Sequence, residues 1–167
     1  MLTSCDVLIV GAGPAGSLCA RVLAREGYHV LLTDMRPFPR YKACAGLVSE
    51  KALTLLREHV GEIPPELCCD QPRMRALVTR SGVAFAPVYG GRVWTHVKRR
   101  EFDNWLATTS GAAFETRTRY VSHRPRDGGV EVVVATPDGR RSVRCRYLVG
   151  ADGGDSSVRR AIDPAFG

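Results

Sequence analysis

The sequence predicts an α/β fold built around a mainly parallel sheet, and three observations support that prediction. An apolar run over residues 6–10 meets a glycine-rich turn over residues 11–16, which opens onto the helical pattern of residues 17–24. A second apolar run over residues 28–34 ends on an acid. Strand, turn, helix and strand within about 30 residues are typical of a βαβ unit. From residue 73 to residue 93 the pattern alternates weakly instead, which favours antiparallel strands in a second sheet.

The glycines of the first turn have three different expected roles. Gly11 permits the tight turn, Gly13 lets the backbone approach a pyrophosphate, and Gly16 lets helix and strand pack closely. The N–H groups at the positive end of the following helix then face the phosphates. The turn therefore predicts a phosphate cradle.

The acid at the end of the second strand extends this prediction to a dinucleotide. Asp34 lies 18 positions after Gly16, close to the spacing of about 20 at which an acid binds a ribose hydroxyl. A carboxylate repels a 2′-phosphate, so Asp34 argues against NADP at this site. The residues of this unit alone leave NAD and FAD open.

The middle of the chain is predicted from its turn residues and periodicity. Two prolines indicate a loop over residues 35–46, and an amphipathic pattern that begins after Ser49 predicts a helix over 49–58. Residues 61–72 are irregular, and the segments 74–79 and 83–88 flank a short polar turn as in a hairpin.

The remaining elements are predicted in the same way. They are, in order, a helix over 97–106 with Phe102, Trp105 and Leu106 on one face, a strand over 112–121, a hairpin of 129–136 and 141–146 around the turn 137–139, and a further strand, glycine turn and helix start over 147–160.

Composition excludes several classes of function. The net charge is +7, but the 24 basic residues are scattered and not interleaved with aromatic residues, so we expect no nucleic-acid partner. Six cysteines without a CxxC pair, and no histidine at a ligand spacing, predict neither a metal site nor a disulfide framework. No apolar run approaches the roughly 20 residues of a membrane span, and we expect a cytoplasmic protein with reduced thiols.

Three segments together resemble a known family. The turn 11–16 with Asp34, the loop Phe38-Pro39-Arg40-Tyr41-Lys42-Ala43-Cys44-Ala45-Gly46, and the segment Gly150-Ala151-Asp152-Gly153 are similar to motifs of FAD-dependent oxidoreductases of the para-hydroxybenzoate hydroxylase-like fold. The Cys44 loop resembles the FPRxKxCGG loop of the geranylgeranyl reductase family, although Ala45 and Leu47 stand where that family commonly has glycines. Val97-x-Arg99-x-x-Phe102-Asp103-x-x-Leu106 resembles the next helix entry of that family.

This resemblance implies a fold and a division of the chain. The fold is a Rossmann-like, three-layer FAD-binding domain with part of an inserted antiparallel β substrate domain. Residues 1–72 and 97–167 would form the discontinuous FAD-binding domain, and residues 73–96 the inserted segment. Members of the family continue for about another domain's length, so the chain is expected to be a truncated portion.

The resemblance also implies FAD as the cofactor, with NAD(P)H as the electron donor. Asp34 would bind the adenosine ribose, Arg99 the ribityl–phosphate region and Asp152 a ribityl hydroxyl, with Gly153 allowing close approach. The predicted cofactor-binding residues are Gly11, Gly13, Pro14, Ala15, Gly16, Asp34, Met35, Cys44, Ala45, Gly46, Arg99, Tyr120, Asp152 and Gly153.

Simpler interpretations of several of these residues stay open. Arg99 can be a solvated charge, Asp152 a turn residue, and Cys44 either a group beside the flavin or a small packed thiol. Arg40 and Lys42 can anchor a phosphate or brace their loop. No catalytic residue is assigned beyond Cys44 as a candidate.

The implied function is reduction of isoprenoid double bonds, with a small-molecule, isoprenoid-lipid substrate and peripheral membrane contact. Two alternatives remain. Asp152-Gly153-x-x-Ser156-x-x-Arg159 also fits the DGxxSxxR motif of flavin-dependent aromatic monooxygenases and halogenases. The second alternative is a truncated nucleotide-binding module without turnover.

Overall fold

The computed structural model describes residues 3–69, 77–78, 84–85 and 95–165. The chain forms two compact units, Met1–Tyr41 with Arg100–Gly167, and Lys42–Arg99. The elements, in chain order, are β1 (Ser4–Val10), α1 (Pro14–Arg25), β2 (Val30–Thr33), β3 (Leu47–Val48), α2 (Glu50–His59), a 3₁₀ turn (Pro65–Leu67), β4 (Leu77–Val78), β5 (Ala84–Phe85), β6 (Thr95–His96), α3 (Arg99–Thr108), β7 (Ala113–Glu115), β8 (Arg119–Arg126), β9 (Gly129–Thr136), β10 (Gly139–Gly150) and α4 (Ser157–Ile162).

The first unit is built on a mainly parallel sheet, as predicted. Its six strands lie in the order β7-β2-β1-β10-β9-β8. Strands β7, β2, β1 and the last half of β10 run parallel, whereas β9 is antiparallel to both β10 and β8. The carboxyl ends of β1, β2 and β10 therefore meet at one edge of the sheet, where ligands bind in folds of this type.

Strand β10 joins two segments that the sequence presents as separate strands. Its first residues pair with β9, from Gly139 to Cys145, and its last residues pair with β1, from Arg144 to Gly150. One continuous strand thus replaces the predicted strands over 141–146 and 147–150. This pairing brings residues 150–152 beside the glycine turn that follows β1.

The single strand predicted over residues 112–121 is wrong, because the chain breaks between β7 and β8. Arg117 has a φ of +52°, which interrupts an extended strand. The N–H of Arg117 bonds to the Arg36 carbonyl at 3.3 Å, and the N–H of Thr118 bonds to the Asp34 carbonyl at 2.9 Å. These bonds hold the break next to the end of β2, and the chain then crosses to the other edge of the sheet.

Apolar residues cover both faces of the sheet. Leu8 and Leu31 belong to the core on one face, which Val158 of α4 joins. Ile9 and Leu32 belong to the core on the opposite face, which Ala20 of α1 and Ala107 of α3 cover. Strands buried on both faces explain why β1 and β2 read as continuous apolar runs.

The described residues of the second unit form short antiparallel strand pairs, the α-helix α2 and the 3₁₀ turn. Strand β3 pairs with β6, and β4 pairs with β5. Helix α2 begins as predicted, because the Ser49 hydroxyl accepts a hydrogen bond from the Ala52 N–H at 3.4 Å. The β4–β5 pairing agrees with the predicted hairpin, but its turn and most of the predicted insertion 73–96 lie outside the described residues. The division into 1–72 with 97–167 and 73–96 stays a prediction.

Candidate dinucleotide-binding site

Packing within the protein requires glycine at two positions of the first turn, Gly11 and Gly16. Gly11 has a φ of +105°, and its N–H bonds to the Thr33 carbonyl at 2.8 Å. A Cβ at Gly11 would lie 2.3 Å from the Ala151 carbonyl oxygen, and a Cβ at Gly16 would lie 1.9 Å from the Gly11 carbonyl oxygen. Both distances are far below van der Waals contact, so any side chain would push the strand, turn and helix apart.

Gly13 differs, because protein packing does not require it. Its φ is −74°, and the nearest described atom to a Cβ placed there would be Nη2 of Arg40, at 3.7 Å. Gly13 is also the N-cap of α1, and among the described residues no side chain caps this helix start. The first-turn N–H groups of Ala15 and Gly16 are therefore available to a ligand, next to a space that a Cβ would enter. Pro14 occupies the first helical position, where it needs no hydrogen bond.

Asp34 lies at the carboxyl end of β2 and turns its carboxylate toward the glycine turn. Oδ2 accepts a hydrogen bond from the Ala12 N–H at 3.1 Å, and Oδ1 accepts one from the Arg36 N–H at 2.9 Å. The residue is 8% exposed, so this acceptor group is nearly buried. The next residue, Met35, is largely exposed. Strand, glycine turn, helix and acid thus meet as the sequence predicts.

Sequence reasoning missed a buried charged group beside this carboxylate. Nε of Arg40 lies 3.4 Å from Asp34 Oδ2, and Nη1 of Arg40 lies 3.1 Å from Oδ2 of Asp103 on α3. The Asp103 side chain is fully buried. The sequence did contain an indication of this buried charge, because Asp103 lies between Phe102 and Leu106 on the apolar face of the predicted helix.

Asp152 lies beside the glycine turn, but its carboxylate also caps α4. A Cβ at Gly11 would approach the Asp152 backbone nitrogen to 2.8 Å. Oδ1 accepts a hydrogen bond from the Ser156 hydroxyl at 2.5 Å, and Oδ2 accepts one from the Ser157 N–H at 2.7 Å. Gly153 follows with a φ of +91°. The Asp152 carboxylate is therefore engaged within the protein, lone pairs remain for a further donor, and its predicted contact with a ribityl hydroxyl stays a prediction.

Tyr120 lies in the core of the first unit, on β8. Its ring is 6% exposed, and its hydroxyl lies 2.6 Å from Nδ1 of His123. Burial, and then the negative charge of Asp152, raise the pKa of Tyr120. The hydroxyl is thus engaged within the protein, and the predicted contact of Tyr120 with a cofactor stays a prediction.

Four predicted site residues belong to the second unit. Cys44 and Ala45 are exposed, and Arg99 is half-buried at the first position of α3. The Gly46 N–H bonds to Sγ of Cys44 at 3.5 Å. A Cβ at Gly46, where φ is +73°, would lie 2.4 Å from the Val97 carbonyl oxygen, so packing within this unit already requires that glycine.

All six cysteines are free thiols, and they fall into different environments. Burial raises the pKa of Cys5 to about 12 and also raises the pKa of Cys19 and Cys145. Cys44 is exposed instead.

In the described ranges, no helix is long and apolar enough to cross a membrane.

The first unit fits the adenosine-diphosphate part of a dinucleotide. The space at Gly13 and the α1 N-terminus suit a pyrophosphate, because backbone N–H groups and the helix dipole favour anions. The Asp34 carboxylate suits hydroxyl donors such as those of a ribose. Nη1 of Arg40 is buried and lies at ion-pair distance from Asp103, but it makes no hydrogen bond of good geometry within the described part of the chain.

Comparisons with known proteins specify the cofactor. The family model described as "FAD binding domain" matches residues 4–166. The chain is 32% identical to geranylgeranyl diphosphate reductase of Rhodobacter capsulatus, over 94% of this chain and 39% of that protein. It is 31% identical to digeranylgeranylglycerophospholipid reductase of Methanosphaerula palustris, over 96% of this chain and 41% of that protein.

A solved structure shares the fold. The ternary complex of aklavinone-11 hydroxylase with FAD and aklavinone superposes with a TM-score of 0.75 at 29% identity, over 95% of this chain and 34% of that one. The chain spans about two fifths of the length of the curated relatives it matches. The predicted cofactor, FAD, is confirmed by the family match, and the chain belongs to the FAD-binding domain family.

Proposed function

We propose that this chain is the FAD-binding portion of a flavin-dependent reductase that saturates isoprenoid double bonds. The observation that carries the proposal is the identity of about three residues in ten to two isoprenoid reductases, over more than nine tenths of the chain. The Cys44 loop supports the same choice, because it is the segment that resembles the reductase family most narrowly.

The residues of the first unit would hold the adenosine-diphosphate half of FAD. The pyrophosphate lies against Gly13 and the N–H groups of Ala15 and Gly16, where helix dipole and open space favour it. Asp34 accepts a hydrogen bond from the adenosine ribose through its remaining lone pair. Asp152 and Gly153 contact the ribityl chain, and Asp152 keeps its bonds to α4 while it does so.

The flavin half would contact Cys44, Ala45, Gly46 and Arg99. A guanidinium suits phosphate oxygens, and an exposed thiol in a loop can lie against a flavin ring without taking part in the reaction. When bound, FAD would supply a hydride to one carbon of the double bond; the other carbon takes a proton, for which the proposal assigns no residue of this portion. NAD(P)H is the proposed electron donor.

The substrate class and location follow from the same proposal. Isoprenoid lipids partition into membranes, so peripheral membrane contact accompanies the proposed substrate. Six free thiols support a reducing compartment, and we place the protein in the cytoplasm.

Aromatic hydroxylation is the second candidate, and one observation favours it. Asp152 bonds to Ser156, whose hydroxyl in turn accepts the Arg159 N–H at 3.0 Å, so the residues of the DGxxSxxR motif form one bonded set. The aklavinone-11 hydroxylase structure is also 29% identical.

A product assay separates these possibilities. The intact protein that contains this portion is loaded with FAD for the assay. One sample is reduced with dithionite without oxygen and incubated with geranylgeranyl diphosphate, and a second sample is incubated with aklavinone, NADPH and oxygen. The proposal expects the isoprenoid to gain hydrogen at its double bonds, as measured by mass spectrometry. Oxygen incorporation into aklavinone alone would replace the proposal by the hydroxylase. Bound FAD without either product would identify a nucleotide-binding module without turnover.

A further inference from the structure

Arg40 is buried between two carboxylates from different parts of the chain. Its side chain is 9% exposed, and those of Asp34 and Asp103 are 10% and 0% exposed. The three groups together carry one net negative charge. Burying such a set costs desolvation energy that an apolar cluster would avoid, so its presence beside a ligand site calls for a reason other than stability.

Aromatic packing holds the guanidinium of Arg40 in place beside the glycine turn. Its central carbon lies 4.8 Å from the centroid of the Phe38 ring, and the Phe38 ring packs edge-on against Phe114 at 5.1 Å. Nη2 is the nearest described atom to the space at Gly13. The guanidinium is thus within reach of whatever binds at the turn.

The contact with Asp103 orients Arg40 without using up its donors. Nη1 is at ion-pair distance from Asp103 Oδ2, 3.1 Å, but it makes no hydrogen bond of good geometry with any described residue. The attraction is therefore mainly between charges. Because Asp34 and Asp103 both attract the guanidinium of Arg40, its positive charge is partly neutralised within the protein and is less available to a ligand.

We propose that Arg40 and Asp103 determine the specificity of the site for an adenosine ribose with a free 2′-hydroxyl. In nucleotide-binding folds of this type an arginine near the ribose accommodates a 2′-phosphate. Here Asp103 pairs with Arg40 and keeps it from that role. The net negative charge of the three groups therefore repels a 2′-phosphate. Without Asp103, the phosphate would instead meet Asp34 beside an arginine that is able to bind it. This inference rests on the proposed binding of adenosine at Asp34.

Competition against FAD measures this specificity directly. Purified chain is saturated with FAD, and the rise in free-flavin fluorescence is followed while ADP-ribose or 2′-phospho-ADP-ribose is added. The quantity measured is the ratio of the two dissociation constants. Wild type is expected to prefer ADP-ribose, and Asp103→Asn is expected to reduce that preference about tenfold, the effect of one charge acting over several ångströms in a partly buried site.

Two further variants separate specificity from structure. Glu101→Gln makes the same change of charge at an exposed position on α3, and it should leave the ratio unchanged. Arg40→Gln with Asp103→Asn removes the arginine and restores the net charge, so the preference for ADP-ribose should return. A purely structural role of Asp103 would weaken both ligands equally and leave the ratio constant.

The outcomes also distinguish this inference from the proposed function. Failure of wild type to bind FAD would overturn the proposed function. An unchanged ratio in Asp103→Asn, in a variant that still binds ADP-ribose, would overturn the inference alone. If Asp103→Asn does not fold, the double variant decides instead: a preference for 2′-phospho-ADP-ribose in that variant would contradict the role of net charge.

Discussion

Substitution of Gly13 and Gly16 by alanine should separate ligand binding from folding. At Gly16 the new Cβ would lie 1.9 Å from a backbone oxygen and 3.1 Å from Cβ of Ala151, and neither a helix nor a buried strand can shift cheaply. Overpacking of this kind costs about 3 kcal/mol. We therefore expect Gly16→Ala to lower the free energy of unfolding by at least that order.

At Gly13 the same substitution meets no such obstacle. The backbone angles suit alanine, and the nearest described atom lies 3.7 Å away at the end of a flexible side chain. The free energy of unfolding should change by about 0.5 kcal/mol, the difference between glycine and alanine as N-caps. The Cβ would instead enter the space proposed for the pyrophosphate. Loss of hydrogen bonds to a charged group, about 1.5–3 kcal/mol, corresponds to roughly 10- to 100-fold weaker FAD binding.

Urea denaturation followed by circular dichroism, and FAD titration followed by flavin fluorescence, measure the two effects. Gly154→Ala is a suitable control, because a Cβ there meets nothing within 4 Å and the φ of Gly154 lies outside the left-handed region. The reasoning would be refuted if Gly13→Ala bound FAD like wild type, or if Gly16→Ala were as stable as wild type.

Three further predictions concern other parts of the chain. Asp152→Ala should lower the free energy of unfolding by about 1 kcal/mol because the first-turn N–H groups of Ser157 and Val158 lose their acceptor, although the Ser156 cap remains. The exposed Asp155→Ala should not have this effect, and equal urea midpoints for the two variants would contradict the reasoning. Iodoacetamide should label the exposed Cys44 before the buried Cys145, and FAD should slow labelling of Cys44; mass spectrometry with and without FAD tests both expectations. Unfolding should become easier above pH 9, because the Cys5 thiol ionises near 9.0 when unfolded but holds its proton to about 12 when folded; the pH dependence should weaken in Cys5→Ala.

Local rules of the chain explain why the glycine turn could be predicted. A positive φ at Gly11 and a close approach at Gly16 follow from the geometry of a strand that turns directly into a helix. Asp34 was predicted from its spacing alone, and its N–H partners come from the same short unit. Features that are determined within one βαβ unit can therefore be predicted from the sequence.

Features set by distant pairing were not predictable in this way. The break at Arg117 depends on bonds to residues at the end of β2, and the continuity of β10 depends on two different neighbouring strands. The contact of Arg40 with Asp103 joins a loop to a helix far along the chain. Propensity and periodicity describe neighbours in sequence, and they carry little information on such contacts.

Asp152 shows a third situation, in which one residue has a structural bond and a predicted ligand contact. The motif predicted a ribityl contact, and the structure shows the carboxylate capping α4. A carboxylate has about four acceptor sites, so the two roles are compatible. Sequence pattern alone does not separate them, because both use the same oxygens.

Titration of the purified chain with FAD, with ADP and FMN as competitors, tests the central claim most directly. The claim is that the first unit binds FAD through its adenosine-diphosphate half, at the glycine turn and Asp34. Saturable quenching of flavin fluorescence that ADP reverses and FMN does not is the predicted result. Absence of saturable binding, or displacement by FMN and not by ADP, would contradict the claim.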